Sequence, residues 1–175
     1  MKDIYSYGGK SPKIGERVFV ADGARVIGDV ILEDDVSIFH NAVLRGDINS
    51  IKVGKGTNIQ DNSTVHLAHD KGVVLGEGVT VGHNAIIHAC TVEDYCIIGM
   101  GSCIMDGAII GHHSIVGACA LVTSGKVFPP YSLITGTPAR RVRDLTPQEI
   151  EHCEQSAKGY IEVKDEFLKA VGDCG

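Results

Sequence analysis

Val92–Ile134 reads VEDYCIIGMGSCIMDGAIIGHHSIVGACALVTSGKVFPPYSLI, and a large apolar residue stands at every sixth position of it: Val92, Ile98, Ile104, Ile110, Val116, Val122, Phe128 and Ile134. A period of six is neither the 3.6-residue repeat of an α-helix nor the plain alternation of a strand. It fits a very short strand followed by a tight corner. Three such units close a triangular coil of about 18 residues, and successive coils stack at the strand spacing of ~4.8 Å.

The same period extends toward the N-terminus through Ile14, Val20, Val26, Leu32, Ile38 and Leu44, then Val53, Ile59 and Val65, then Leu75, Val81 and Ile87. The phase slips between these runs, and one residue is dropped between Ile87 and Val92. The fourth residue after an anchor is small or β-branched at Val36, Ala42, Val79, Ala85, Ser102, Ala108, Ser114 and Ala120. Anchors and small residues are therefore predicted to point inward and fill a prism. Residues 14–139 provide about seven coils, a stack roughly 34 Å tall.

The repeat ends around Thr137–Arg141. Thr146-Pro147-Gln148-Glu149 then reads as a helix start, with Thr146 as N-cap, Pro147 in the first turn and Glu149 completing a capping box. Ile150, Cys153, Ala157, Tyr160, Ile161, Phe167, Leu168 and Val171 give this helix an apolar stripe suited to lie along one prism face. The expected fold is all-β: a parallel β-helix over 1–139 and a linker plus packing helix over 140–175, forming one structural unit.

Composition narrows the function. Among 175 residues, 43% are apolar and 22% charged, with a formal net charge of −6. A globular chain without a basic stripe is not expected to bind nucleic acid. The apolar runs are too short to span a membrane, and the N-terminal MKDIYSYGGKSPKIG has no apolar signal region. The six cysteines (90, 96, 103, 119, 153 and 174) form no CxxC pair and point to a reducing, cytoplasmic setting, with the four inside the repeat acting as small core or turn residues.

The eight histidines carry the chemistry. His66 follows anchor Val65 and His88 follows anchor Ile87. They are 22 residues apart, but the ten-residue step from Val65 to Leu75 exceeds six by four, looped out around Asp70-Lys71-Gly72. Setting those aside leaves about one coil, so the two rings should stack on one edge within reach of a common ion. His83 lies two residues after Val81 and projects from a neighbouring part of the coil; a cyclic trimer would bring it to the pair of the next subunit. Three imidazoles with a fourth position open form a catalytic zinc arrangement, which iron or cobalt also fits. His40, His69, His112, His113 and His152 have no such spacing and are expected to be incidental.

Arg45-Gly46-Asp47, Asn58-Ile59-Gln60-Asp61-Asn62, His66 and His83-Asn84-Ala85-Ile86-Ile87-His88 resemble the γ-class carbonic anhydrases over nearly the whole chain. That resemblance implies a left-handed β-helix and a homotrimer. It implies a metal held by His66 and His88 of one chain and His83 of the next, and reversible hydration of CO2 to bicarbonate by metal-bound hydroxide. Gln60 matches the glutamine beside the metal-bound water, and Arg45 and Asp61 match an intersubunit ion pair with Asp47 and Asn58 close by. One departure stands out: the segment Leu67–Val74 has none of the proton-shuttling glutamates of the best-understood family member, and His69 is its only imidazole. The competing readings are a CoA-dependent acyltransferase, suggested by Gly136-Thr137-Pro138-Ala139-Arg140, a thioesterase, and a non-catalytic assembly subunit.

Overall fold

The structure, a computed structural model, describes residues 4–172, with side chains through residue 170. Cys174 and the Val171 side chain lie outside the described residues. The chain forms a parallel β-solenoid of about seven turns followed by a single C-terminal helix.

Each turn has three faces. The first stacks Thr64–His66, Ile86–His88, Cys103–Ile104 and Leu121–Val122, and the second stacks Val73–Leu75, Thr91–Val92, Ile109–Ile110 and Val127–Phe128. Two longer strands, Arg25–Leu32 and Val43–Val53, bend around the corner between these faces and pair on both, with a register shift between Gly28 and Val30. The third face runs from Phe19–Val20 through Ser37–Ile38, Asn58–Ile59, Thr80–Val81, Ile97–Ile98 and Ile115–Val116 to Ser132–Gly136. The ladders place anchor opposite anchor: Val65 against Ile87, Ile59 against Val81, Leu75 against Val92. The segment expected as linker instead forms the strand Ala139–Asp144, antiparallel to Ser132–Gly136. It pairs backbone groups that the last coil would otherwise leave as an open edge.

The anchors from Val26 to Ile134 are buried, and so are all eight small residues predicted to accompany them. Ile14 and Val20 depart from this reading: Ile14 is 41% exposed and Val20 only half-buried, because the first coil has a neighbour on one side only. The buried Ser102 hydroxyl donates to the Gly99 carbonyl at 2.7 Å, so a small polar residue costs the core no unpaired group.

The corner after each third-face strand sets the later chemistry. Asn41, Asn62 and Asn84 adopt the left-handed backbone with φ of 61°, 60° and 57°. Asparagine tolerates that region better than most residues. The N–H groups of Asn62 and Asn84 donate to the carbonyls of His40 and Asp61 one coil below, and that of Gly101 donates to His83. His40, Asp61 and His83 thereby occupy one position on three successive coils.

The helix spans Pro147–Gly172, and its capping box forms: the Glu149 amide donates to Thr146 Oγ1 at 3.3 Å and the Thr146 amide to Glu149 Oε2 at 2.8 Å. It lies along the third face. Phe167, Leu168 and Tyr160 pack on Phe19, Ala21 and Phe39, while Cys153 and Ala157 are buried. One buried residue of this face is unexpected. Lys164 is fully enclosed, with Nζ 3.0 Å from Asp35 Oδ1 and 3.1 Å from the Arg17 carbonyl oxygen. Among the described cysteines, all free, Cys90, Cys96 and Cys153 are buried, and burial pushes the Cys90 thiol up to about 12. No helix among the described residues is long and apolar enough to cross a membrane.

Candidate metal centre

Two corners flank the first face, and the predicted site residues divide between them. At the corner leading to the second face, His66 lies directly opposite His88 in the ladder, one coil apart. Their rings meet with His66 Nδ1 3.3 Å from His88 Nε2. The remaining nitrogen of each ring rests on a carboxylate: His66 Nε2 is 3.1 Å from Asp47 Oδ1, and His88 Nδ1 is 3.0 Å from Asp106 Oδ2. Asp47 also takes the Arg45 guanidinium. Burial works to raise the Asp47 carboxyl, but the hydrogen bonds from His66 and Arg45 together hold it below its ordinary range.

At the corner between the third and first faces stand His83, Asp61, Gln60 and Asn58. His83 Nδ1 is 2.8 Å from Asp61 Oδ2, and His40 Nδ1 approaches Asp61 Oδ1 at 3.4 Å. Gln60 and Asn58 are buried. Gln60 Nε2 donates to Asn58 Oδ1 at 3.3 Å, and Asn58 Nδ2 donates to Thr80 Oγ1 at 3.0 Å. Thr80 Oγ1 is 2.9 Å from Ser156 Oγ on the helix. This chain of contacts borders a surface cavity of about 310 Å³ that also reaches His83 and Tyr160.

His83 and His88 thus sit at opposite ends of one first-face strand. Five extended residues span about 15 Å, beyond what two imidazoles on one chain can close around one ion. Among the described residues, no group of three His, Cys, Asp or Glu side chains converges as a potential ligand set. Arg45 and Asp61 also occupy different corners, each with a partner in its own chain.

The donor set of the first corner fits a divalent metal. Two imidazole nitrogens bound to one tetrahedral ion at ~2.0–2.1 Å lie about 3.4 Å apart, and the facing nitrogens here are 3.3 Å apart. Ring nitrogens backed by carboxylates are the usual outer support of metal-binding histidines.

Four contributing residues escaped the sequence reading. Asp106 follows from the register Ile87 opposite Ile104, which puts it one residue past the position above His88. His40 shares with Asp61 and His83 the place two residues after an anchor, a regularity visible in the sequence. Thr80 and Ser156 carry no such signal, because the helix-to-face register cannot be read from the repeat. His112 and His113, for which the sequence offers no partner, meet at the third corner with Nδ1 atoms 3.0 Å apart, and His113 Nε2 is 3.6 Å from Glu154.

The hexapeptide family model described as "Bacterial transferase hexapeptide (six repeats)" matches residues 89–124. A carbonic anhydrase of Geobacillus kaustophilus is 42% identical over 96% of this chain and 92% of its own length. The chain belongs to the γ-class carbonic anhydrase-like family. The mitochondrial gamma carbonic anhydrase 2 of Arabidopsis thaliana is 48% identical over 87% of the chain, which spans only 57% of that protein's length. A crystal structure of a hexapeptide transferase family protein from Anaplasma phagocytophilum superimposes with a TM-score of 0.91 at 40% identity, covering 95% of this chain and 99% of that one. The names of these similar proteins include both carbonic anhydrase and transferase.

Proposed function

We propose that this γ-class protein is a metal-dependent carbonic anhydrase whose site is completed between subunits of a homotrimer. The observation that carries the reading is the carboxylate-backed pair His66 and His88, with His83 at the other end of the same face. His66 and His88 of one chain and His83 of the next would hold zinc, iron or cobalt. A divalent ion at such a site supplies Lewis acidity that makes water nucleophilic near neutral pH. CO2 plus water then yields bicarbonate and a proton.

The two half-sites flank one face, which favours cyclic assembly. Rotating each chain so that its first face turns toward a threefold axis sets the His66/His88 corner of one beside the His83 corner of the next. That face carries Ile86, which is 46% exposed in the isolated chain, together with Val43, Cys103 and Leu121. Gln60 and Asp61, one coil below His83, would travel with it. Gln60 spends an N–H on Asn58, which leaves its carbonyl oxygen to accept a hydrogen bond from a site water or from the bicarbonate hydroxyl. Arg45 beside Asp47 would meet Asp61 of the neighbour and tie the two half-sites together.

The test is metal analysis of anaerobically purified protein followed by stopped-flow CO2 hydration. About one ion per chain and a hydration rate that disappears in His88→Ala would support the reading. Acyl transfer from CoA by metal-free protein, with no hydration, would replace it.

A further inference from the structure

The geometry points to Asp106 as a positioning residue that fixes the His88 ring with its proton on Nδ1 and its Nε2 lone pair turned toward His66. This rests on the metal reading above and concerns a residue outside the family-matched set.

Three observations converge. The Asp106 carboxylate reaches His88 Nδ1 at 3.0 Å. An ionised carboxylate only accepts, so the proton in that contact belongs to the imidazole. The opposite nitrogen, Nε2, faces His66 Nδ1 at 3.3 Å. Histidine binds a metal through an unprotonated nitrogen, and the partner of the other nitrogen decides which one that is. Finally, the support is symmetrical about the pair. Asp47 approaches His66 from the coil below, and Asp106 approaches His88 from the coil above. A pair of imidazoles flanked by the Asp47 and Asp106 carboxyl groups makes a half-site with acidic groups on both sides, suited to a dication.

Asp106 is well placed for this role and expendable for the fold. Its side chain is 37% exposed. Its part in the solenoid ladder is carried by its backbone carbonyl, which accepts from the Gly125 amide at 2.8 Å. Removing the carboxylate should leave the coil intact and free the ring to turn or to change tautomer.

The experiment compares wild type, Asp106→Ala and Asp106→Asn. In the metal-free proteins, 15N–1H correlation spectra of the imidazoles report which nitrogen of His88 carries the proton. Zinc affinity is then measured by competition with a chromophoric chelator. The expected result is Nδ1–H in wild type, a mixed tautomer in Asp106→Ala, and zinc affinity lowered about 10–100-fold. Asp106→Asn, whose amide oxygen still accepts, should keep the tautomer and recover part of the affinity. An unchanged His88 tautomer with unchanged zinc affinity in Asp106→Ala would overturn the proposal. If wild type binds no zinc, the metal reading falls. The metal-free spectra still decide the positioning role, which stands if Asp106→Ala loses the Nδ1–H form and fails if it keeps it.

Discussion

Replacing Lys164 by methionine tests how the helix is locked to the solenoid. The Lys164 ammonium is fully buried and contacts Asp35, Asp165 and the Arg17 carbonyl. Methionine fills similar space and removes the charge. Asp165 is about half exposed and returns to water, and Asp35 keeps its two-pronged contact with Arg17 at 2.9 and 2.6 Å. The loss is therefore in the upper part of the ~1.5–3 kcal/mol range for hydrogen bonds to charged groups, and not the ~3–5 kcal/mol of an orphaned buried charge. At this chain length that corresponds to a melting midpoint roughly 5–10 °C lower. The pH dependence follows from Asp35, whose carboxyl is held at about 2, first by the Arg17 hydrogen bond and then, against burial, by Lys164. Its stabilisation is complete above the unfolded carboxylate value near ~4 and fades as pH falls toward about 2. Lys164→Met removes one of the two cations holding that value down. The gap between variant and wild type should thus be full at neutral pH and narrow as the solution is acidified through that window. Thermal melts followed by circular dichroism at neutral and acid pH measure both. A variant that melts with wild type at neutral pH, or a gap that widens on acidification, would refute the reasoning.

Other consequences are direct. Ile104→Asp puts an unpaired charge at a fully buried anchor, which costs several times a typical core substitution, and should give no folded solenoid by circular dichroism; a well-folded variant would contradict the register. Gln60→Leu should retain metal and lose hydration rate, since it removes only the amide; unchanged kinetics would reduce Gln60 to interface filler. Thr80→Val should act in the same direction more weakly by freeing the Asn58 amide, with Thr80→Ser restoring the rate; no recovery with serine would place the effect in packing.

The fold was legible because a solenoid turns sequence spacing into spatial register. Val65 and Ile87 face each other for the same reason that Ile98 and Val116 do, and the four-residue excess before Leu75 was enough to place His66 against His88. The failures have physical causes. Ile14 carries the pattern but sits in the first coil, with no coil below to bury it. Asp106 was hidden by the residue dropped after Ile87, which shifts the next coil by one. Lys164 falls by spacing inside the apolar stripe, four residues after Tyr160 and four before Leu168, where a charged side chain breaks the pattern, and only the docked face reveals the Asp35 carboxylate that pairs with it. Thr80 and Ser156 meet across a helix-to-sheet contact that no period encodes. The repeat fixes position along each edge, which is why the spacing separates His83 from His66 and His88; it says nothing of which edges meet between chains.

Sharing of the site between subunits is tested most directly by complementation. His83→Ala and His66→Ala are prepared separately, each expected to trimerise without an intact site, and then mixed by co-expression or refolding. In a cyclic trimer each chain gives its His66/His88 corner to one neighbour and its His83 corner to the other. Every mixed trimer then holds one interface that joins an intact pair to an intact His83. Random mixing makes about three quarters of the trimers mixed, each with one site of three restored, so roughly 25% of wild-type metal occupancy should return. If all three ligands came from one chain, no mixing ratio would restore any metal.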